Sequence, residues 1–335
     1  MARNPLLPMT PEVLRNQTGM QSSGRTVLAV VVTYRPDTAV LTDLLRELLA
    51  QADQVLIVDN TPAHDDRVHA ALADFPEIAG TLRLVRLGSN LGIAAALNIG
   101  IQAAIAEHFD YVLLSDQDSL PASDMLAQLL AVAHRLLATG VRLGSVSPAY
   151  VDHVTGQMFS FQVQEPGRAF YRSLPGDCAD PWVEVITQIS SGSLIPCSVF
   201  AEVGFMREDY FIDYVDSEWC HRARHHGHQL YGTSLAAMGH RMGDATFPVW
   251  YLRWRPFTAY APQRLYYRFR NFALLMRCDY VPWRWKVRAS WYWLGNIYAY
   301  LLFSRRRMQN AKFIVRGLWD GLRGRTGFLA GVDSL

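Results

Sequence analysis

Residues 26–34 read Thr-Val-Leu-Ala-Val-Val-Val-Thr-Tyr, an unbroken apolar, β-branched run that Arg35-Pro36 interrupts. A run with no polar alternation has no solvated face, so it predicts a strand covered on both sides, as in a parallel sheet. From Asp37 to Ala50 the period changes, and Leu41, Leu44, Leu45, Leu48 and Leu49 fall on one helical stripe. Gln54 to Asn60 is a second buried strand ending in Asp59, and Leu82 to Leu87 a third. Gly88-Ser-Asn90-Leu-Gly92 then opens a helix over 93–107 whose Ala94, Ala95, Ala96, Gly100, Ala103 and Ala104 permit close packing. Its glycine-rich start can offer N–H groups to an anion or to carbonyl oxygens. The apolar run from Phe109 stops at Asp116-Gln117-Asp118, a helix is expected over 122–139, and a short strand over 143–147. Periodicity fades from Tyr150 to Glu184, which predicts hairpins or a pocket-lining loop. Order returns as strands over 185–195, containing Ser191 and Gly192, and over 229–238, which delivers Gly239-His240. Alternating strands and helices predict an α/β fold with a mostly parallel central sheet and helices on both faces.

Composition narrows the class. The chain has 335 residues, half of them apolar and 19% charged, which is enough to bury a large core, as one α/β domain with extensions or as two domains, and argues against a disordered chain. Four cysteines without paired spacing argue against a disulfide framework or zinc ribbon and suit the cytoplasm. Residues 1–24 read as a loose leader without the basic start and apolar centre of a signal peptide. The net charge of +2 conceals a division, since from Arg241 onward there are 17 Arg and Lys against 4 Asp and Glu. A basic rear part points to an anionic partner.

The candidate chemistry lies at strand ends. In open α/β sheets ligands bind outside the carboxyl ends of the strands, where Asp59, Asp116 and Asp118 are expected. If the backbone stays extended, Asp116 and Asp118 share one side and can face one Mg²⁺ or Mn²⁺, with Gln117 pointing away. A solvated acidic turn is the alternative. A second acidic concentration runs from Gly204 to Arg222. Asp216 there is expected at a helix N-terminus, as cap or as base, with Trp219, Cys220 and Ala223 facing inward. His221, His225, His226 and His228 lack the spacing of a zinc site and read as an exposed helix end.

These motifs, in this order, resemble the inverting family 2 glycosyltransferases, and within them the bacterial rhamnosyltransferases of O-antigen and related polysaccharides. The segments are Thr33-Tyr34-Arg35, Val58-Asp59-Asn60, Asn90-x-Gly92 with Asn98-x-Gly100, Asp116-x-Asp118, Asp216-x-Glu218-Trp219 with Arg222, and Gly239-His240. The resemblance spans roughly 26–277 and implies a glycosyltransferase A-type fold for a catalytic domain over 25–278. It further implies that Thr33, Tyr34, Arg35, Asp59, Asn90, Gly92 and Asp116 hold a nucleotide-sugar donor, dTDP-rhamnose. Asp118 with His240 and Asp116 would then bind Mg²⁺ or Mn²⁺, and Asp216 would be the base, with Asp213 or Glu218 as substitutes. Glu218, Trp219, Ser191 and Gly192 are expected to touch the acceptor, a lipid-linked saccharide, or to stand behind the groups that do. Many relatives carry Glu-Asp where this chain has Val215-Asp216.

Beyond His240, Tyr266-Tyr267 with Arg268, Arg270 and Asn271 also resembles the rhamnosyltransferase subgroup, and Arg268 and Arg270 are candidates for the diphosphate, with a solvated basic helix as the alternative. Residues 279–335 form a basic aromatic helical extension whose longest uncharged stretch, 289–304, is shorter than the ~20 residues that span a bilayer. Trp and Tyr mixed with Arg suit a helix on the anionic cytoplasmic face of the inner membrane, or one packed on the domain or on a second copy of the chain. A nucleotidyltransferase and an inactive membrane-bound scaffold are the competing functions. The former normally has a basic Gly-rich loop after its first strand, which Thr33-Tyr34-Arg35-Pro36-Asp37 is not. No nucleic-acid partner is expected, because the Trp-rich spacing favours lipid.

Overall fold

The computed structural model describes residues 24–75, 80–152, 156, 158–164, 168, 170–239 and 245–329. His240 lies outside them. Strands β1 (Val27–Thr33), β2 (Gln54–Pro62), β3 (Leu82–Gly88), β4 (Tyr111–Asp116), β5 (Leu120–Pro121), β6 (Leu143–Val151), β9 (Trp182–Val185), β10 (Leu194–Pro196) and β11 (Gln229–Gly239) make one sheet in the order β3-β2-β1-β4-β10-β6-β11-β5, with β9 on β11. β1 to β4 pair in parallel and β6 pairs β11 in parallel, whereas β10, β5 and β9 run against their neighbours. β7 (Phe161–Val163) and β8 (Arg172–Leu174) form a small hairpin in the segment where periodicity fades, and β12 (Ala245–Tyr251) and β13 (Arg253–Ala259) form a second.

The period of two in β1 explains the layering. Leu28, Val30 and Val32 enter one core with α3 (Ile93–Ala106), α5 (Val199–Val203) and α6 (Val215–His225). Val27, Ala29 and Val31 enter the other with α1 (Thr38–Leu49), α2 (Arg67–Leu72) and α4 (Met125–Ala138). Gly100 lets α3 approach the sheet, for a Cβ there would lie 2.2 Å from a Val30 methyl. The expected strand over 185–195 is strand only at its two ends, β9 and β10. Between them Gly192 takes φ +81°, and a Cβ would meet Met238 Sδ at 2.7 Å and Pro148 at 2.8 Å.

The last third is packed on this body. α7 (Pro262–Met276), α8 (Trp283–Leu302) and α9 (Arg307–Leu322) share a third core in which Leu265, Phe269 and Leu275 meet Trp285, Trp293 and Ile314, with Ile186 from the sheet side. Residues on both sides of 278 therefore belong to one apolar cluster. Among the described residues no helix is long and apolar enough to cross a membrane.

Candidate active site

Parallel register sets the first wall. Thr33 pairs with Asp59 and Val32 with Asp116, so the ends of β2, β1 and β4 stand in a row at one edge of the sheet. Thr33, Tyr34, Asn60, Asn90, Gly92, Asp116, Gln117 and Asp118 line a cavity of about 850 Å³ there, within the usual range of small-molecule sites. β4 ends at Asp116, so Asp118 is carried by the following turn rather than by extended backbone. Gln117, expected to point away, also lines the cavity and grips β1. It accepts from Tyr34 N at 2.6 Å and donates to Tyr34 O at 3.1 Å. Ser191 is buried behind this turn, where its hydroxyl accepts from Asp116 N at 3.0 Å and lies 2.8 Å from Ser119 Oγ.

Asp59 lies beneath the surface rather than in the cavity wall. It is fully buried, accepting from Thr33 Oγ1 at 3.0 Å and Thr61 N at 3.1 Å, with Arg86 Nε 3.5 Å away. Asn60 and Asn90 fold the glycine-rich turn: Asn60 donates to Asn90 Oδ1 at 3.0 Å, which also accepts from Gly92 N at 3.0 Å. The helix start receives a carbonyl, since Ile93 N donates to Phe211 O at 2.8 Å. Gly92 permits that approach, having φ +91° and a Cβ position only 2.6 Å from Phe211 O. Arg35 turns to solvent, its guanidinium 5.4 Å from the Tyr34 ring, and is absent from the cavity wall.

The opposite wall is a strained loop. Phe211, Asp213 and Tyr214 all have φ between 63° and 65°, a region that side chains occupy only when their surroundings enforce it. Asn271 enforces it here, its amide nitrogen lying 2.8 Å from the carbonyls of Tyr210, Ile212 and Asp213. Arg270 is buried beside it, donating to Tyr210 O at 2.8 Å, Asn271 Oδ1 at 2.9 Å and Gly327 O. Arg270 thus braces the loop and does not line the cavity, whereas Arg268 does. Arg268 pairs with Asp213 at 3.1 Å and lies 4.0 Å from the Tyr260 ring centre.

The loop leads into α6, where Asp216 occupies the first turn and faces the cavity. Burial pushes its carboxyl up to about 6, against hydrogen bonds from Ser217 that favour the charge, and the nearby Asp116 and Asp213 carboxylates push the same way as burial. A carboxylate poised near neutrality is suited to accept a proton. The two other acids of this segment are already engaged. Asp213 is held by Arg264 and Arg268. Glu218 is fully buried, bonded by Arg222 at 2.8 Å and by the Tyr280 hydroxyl at 2.6 Å. Trp219 is buried under α5, its Nε1 on Gly204 O at 3.0 Å. Glu218, Trp219, Ser191 and Gly192 therefore stand behind the cavity, not in it. His221, read from sequence as exposed, is buried 4.6 Å from the Trp285 ring, and burial, then Arg224 and Lys286, depress it to about 3.

Sequence reasoning anticipated the third wall only at Tyr171, which lies in the stretch expected to line a pocket, and missed the rest. Tyr171, Tyr260, Trp285, Tyr292 and Trp293 line the cavity, and three of them come from α8. Their signal was present in the Trp and Tyr spacing of that helix, read as facing lipid or other protein surfaces. The cavity wall thus combines the Asp116 and Asp118 carboxylates at and just beyond the end of β4, the aromatic groups, and Asp216. Asp116 and Asp118 offer hard oxygen donors in an open site, which fits a divalent cation that keeps ligand positions for phosphate and water. No cluster of three or more His, Cys, Asp or Glu arranged around a metal position occurs among the described residues.

Comparison with known proteins agrees with this geometry. Residues 29–172 match the family described as Glycosyl transferase family 2. The chain is 29% identical over 303 residues to the dTDP-rhamnosyl transferase RfbF of Shigella flexneri, covering 90% of this chain and 97% of that protein. It is 32% identical over 230 residues to the galactofuranosyltransferase GlfT1 of Mycobacterium tuberculosis, covering 66% of this chain and 72% of that protein. Among solved structures it superposes on GalNAc-T7 with UDP, GalNAc and Mn²⁺ at a TM-score of 0.56 and 12% identity, over 78% of this chain and 49% of that one. It also superposes on S. aureus TarS 1–349 with UDP-GlcNAc at 0.52 and 14%, over 90% and 81%. The fold is therefore of the glycosyltransferase A type, with helices added at the C-terminal end.

Proposed function

Because the chain belongs to glycosyl transferase family 2, we propose that it moves rhamnose from dTDP-rhamnose to a hydroxyl of a lipid-linked saccharide, with inversion at the anomeric carbon. The likeness to RfbF across nearly the whole chain supports this donor. The observation that supports the chemistry best is the raised Asp216 carboxyl in one cavity with Asp116 and Asp118. Asp216 accepts the proton of the acceptor hydroxyl as its oxygen bonds to the anomeric carbon. The bond to the nucleoside diphosphate breaks in the same displacement, so no covalent enzyme intermediate is required. Asp116 and Asp118 would hold Mg²⁺ or Mn²⁺, which when bound would stabilise the charge on the departing diphosphate. His240 is our third candidate ligand, because it follows Gly239, which pairs with Leu120 two residues beyond Asp118. Thr33, Tyr34, Asn60 and Asn90 form the donor side, with Asp59 tying β1 to β2 beneath it. The aromatic wall suits the acceptor, since sugar rings present C–H faces to aromatic planes. Such a reaction belongs at the cytoplasmic face of the inner membrane, where nucleotide sugars meet lipid-linked saccharides.

The test is release of free nucleotide from dTDP-rhamnose, UDP-galactofuranose and UDP-GlcNAc by full-length protein with Mg²⁺ or Mn²⁺, with and without saccharide acceptor. Turnover of dTDP-rhamnose is expected. Turnover of UDP-galactofuranose instead would move the donor reading to the GlfT1 side, and equal activity of wild type and Asp118→Ala would remove the metal from the scheme.

A further inference from the structure

The hairpin β12–β13 is built unlike a solvated surface element. Trp250 sits directly opposite Trp254, and Pro248 opposite Pro256, so these four share one face of the ribbon. Trp250 is 46% and Trp254 64% exposed, and Leu252 at the tip is 92% exposed. Leu252 also has φ +62°, a turn conformation that Gly or Asn adopts without strain. The other face is anchored: Tyr251 donates to Gly295 O at 2.7 Å and Phe247 lies 5.5 Å from Tyr300, both on α8. Trp254 meets Phe303 at the end of α8, where exposed Arg305, Arg306, Arg307 and Met308 follow. Exposed Arg253 and Arg255 flank the tip.

We infer that this hairpin is a membrane wedge, inserting Trp250, Leu252 and Trp254 into the interface of an anionic phospholipid bilayer while the surrounding arginines meet the headgroups. Tryptophan rings at the hydrocarbon boundary beside Arg and Lys are the pattern of an interfacial anchor. Charge selects lipid over a second copy of the chain. Arg253 and Arg255 beside the tip and Arg305, Arg306 and Arg307 just past the end of α8 are all exposed, so a two-fold contact through this patch would set like charge against like. The wedge also has a place relative to the cavity. Tyr292 lines the cavity and Gly295, which the hairpin grips, follows it three residues along α8, about 4.5 Å of helix rise. On the acceptor reading proposed above, a lipid tail could stay in the bilayer while its saccharide reaches the aromatic wall of the cavity.

Cosedimentation of the full-length protein with vesicles of phosphatidylcholine, with or without about one quarter phosphatidylglycerol, tests the inference. Binding to the anionic vesicles that weakens with added salt is expected. The double variant Leu252→Asn, Trp254→Glu should lose roughly tenfold or more of that binding, with unchanged circular dichroism, thermal midpoint and donor hydrolysis in solution. Hydrolysis reads the enzymatic proposal separately, so either can fail alone. The inference is overturned if wild type ignores anionic vesicles or if the variant binds as wild type does. It is equally overturned if light scattering shows a wild-type dimer that the variant dissolves, which would make the hairpin a contact between copies.

Discussion

Asn271→Ala removes an amide that faces three carbonyls of the strained loop before Asp216. Leaving buried carbonyls unpaired costs about 1–3 kcal/mol, and the loop is then free to relax from its positive-φ conformation. We expect a thermal midpoint lower by several degrees and a fall in kcat larger than any rise in KM, measured by melting and steady-state kinetics. Asp216→Asn keeps the side-chain shape but cannot take a proton, so transfer should fall by roughly 10² or more while dTDP-rhamnose still binds. Because the carboxyl is pushed up to about 6, the active carboxylate form is lost as pH falls through that value, and the rate should rise with pH and level off above it. A cation at Asp116 relieves part of the repulsion, so the measured midpoint should lie at or below 6; a rate falling with rising pH would show that the protonated form works. The position of Asp216 at a helix start was legible as a local pattern, and it lies in the first turn of α6, but that pattern left cap or base open and the resemblance alone singled it out as base. Asn271 was legible only as part of a resemblance, since its loop partners lie 58–61 residues away.

At the scale of elements, α3 depends on the absence of a side chain at Gly100. Gly100→Val adds bulk where even a Cβ would sit 2.2 Å from Val30, and we expect a loss of about 2–3 kcal/mol in urea unfolding. α8 behaves differently from a detachable tail. Its Trp285 and Trp293 fill the third core and, with Tyr292, the cavity wall. Ending the chain before Val281 should therefore leave Leu265 and Phe269 uncovered and yield aggregated protein in expression and light-scattering assays, not a soluble catalytic half. The strands of the parallel half were readable because an uninterrupted β-branched run has few other solutions. The irregular stretch between β9 and β10 was misread because Ser190-Ser191-Gly192 sits in an otherwise strand-like sequence, and its departure is set by contacts with Pro148 and Met238. Positive φ at Phe211, Asp213 and Tyr214 leaves no trace in residue type, which is why the loop was unreadable.

For the whole molecule, the cavity joins strand ends from the first third to aromatic groups from the last. Nucleotide held at the strand ends binds only the folded chain, in which those ends are aligned. dTDP with Mg²⁺ or Mn²⁺ should raise the thermal midpoint, by about 2.7 kcal/mol of added stability at 100-fold excess over Kd, and EDTA should abolish most of that gain. The fold class was visible from period alone and the acidic edge from strand ends, but the enclosing wall depends on long-range packing that no local pattern encodes. The same closure fixes when the enzyme first becomes active during its synthesis. Gly327 N donates to Asp209 O, Arg270 reaches Gly327 O, and Leu329 N donates to the Tyr267 hydroxyl. At about 5–20 residues per second, a ribosome needs on the order of ten seconds to pass from the codon of Asp216 to that of Gly327. Throughout that interval the nascent chain carries Asp216, the base proposed above, just after a loop whose clasp through Gly327 has not been translated, so turnover is expected only once Leu329 has been made.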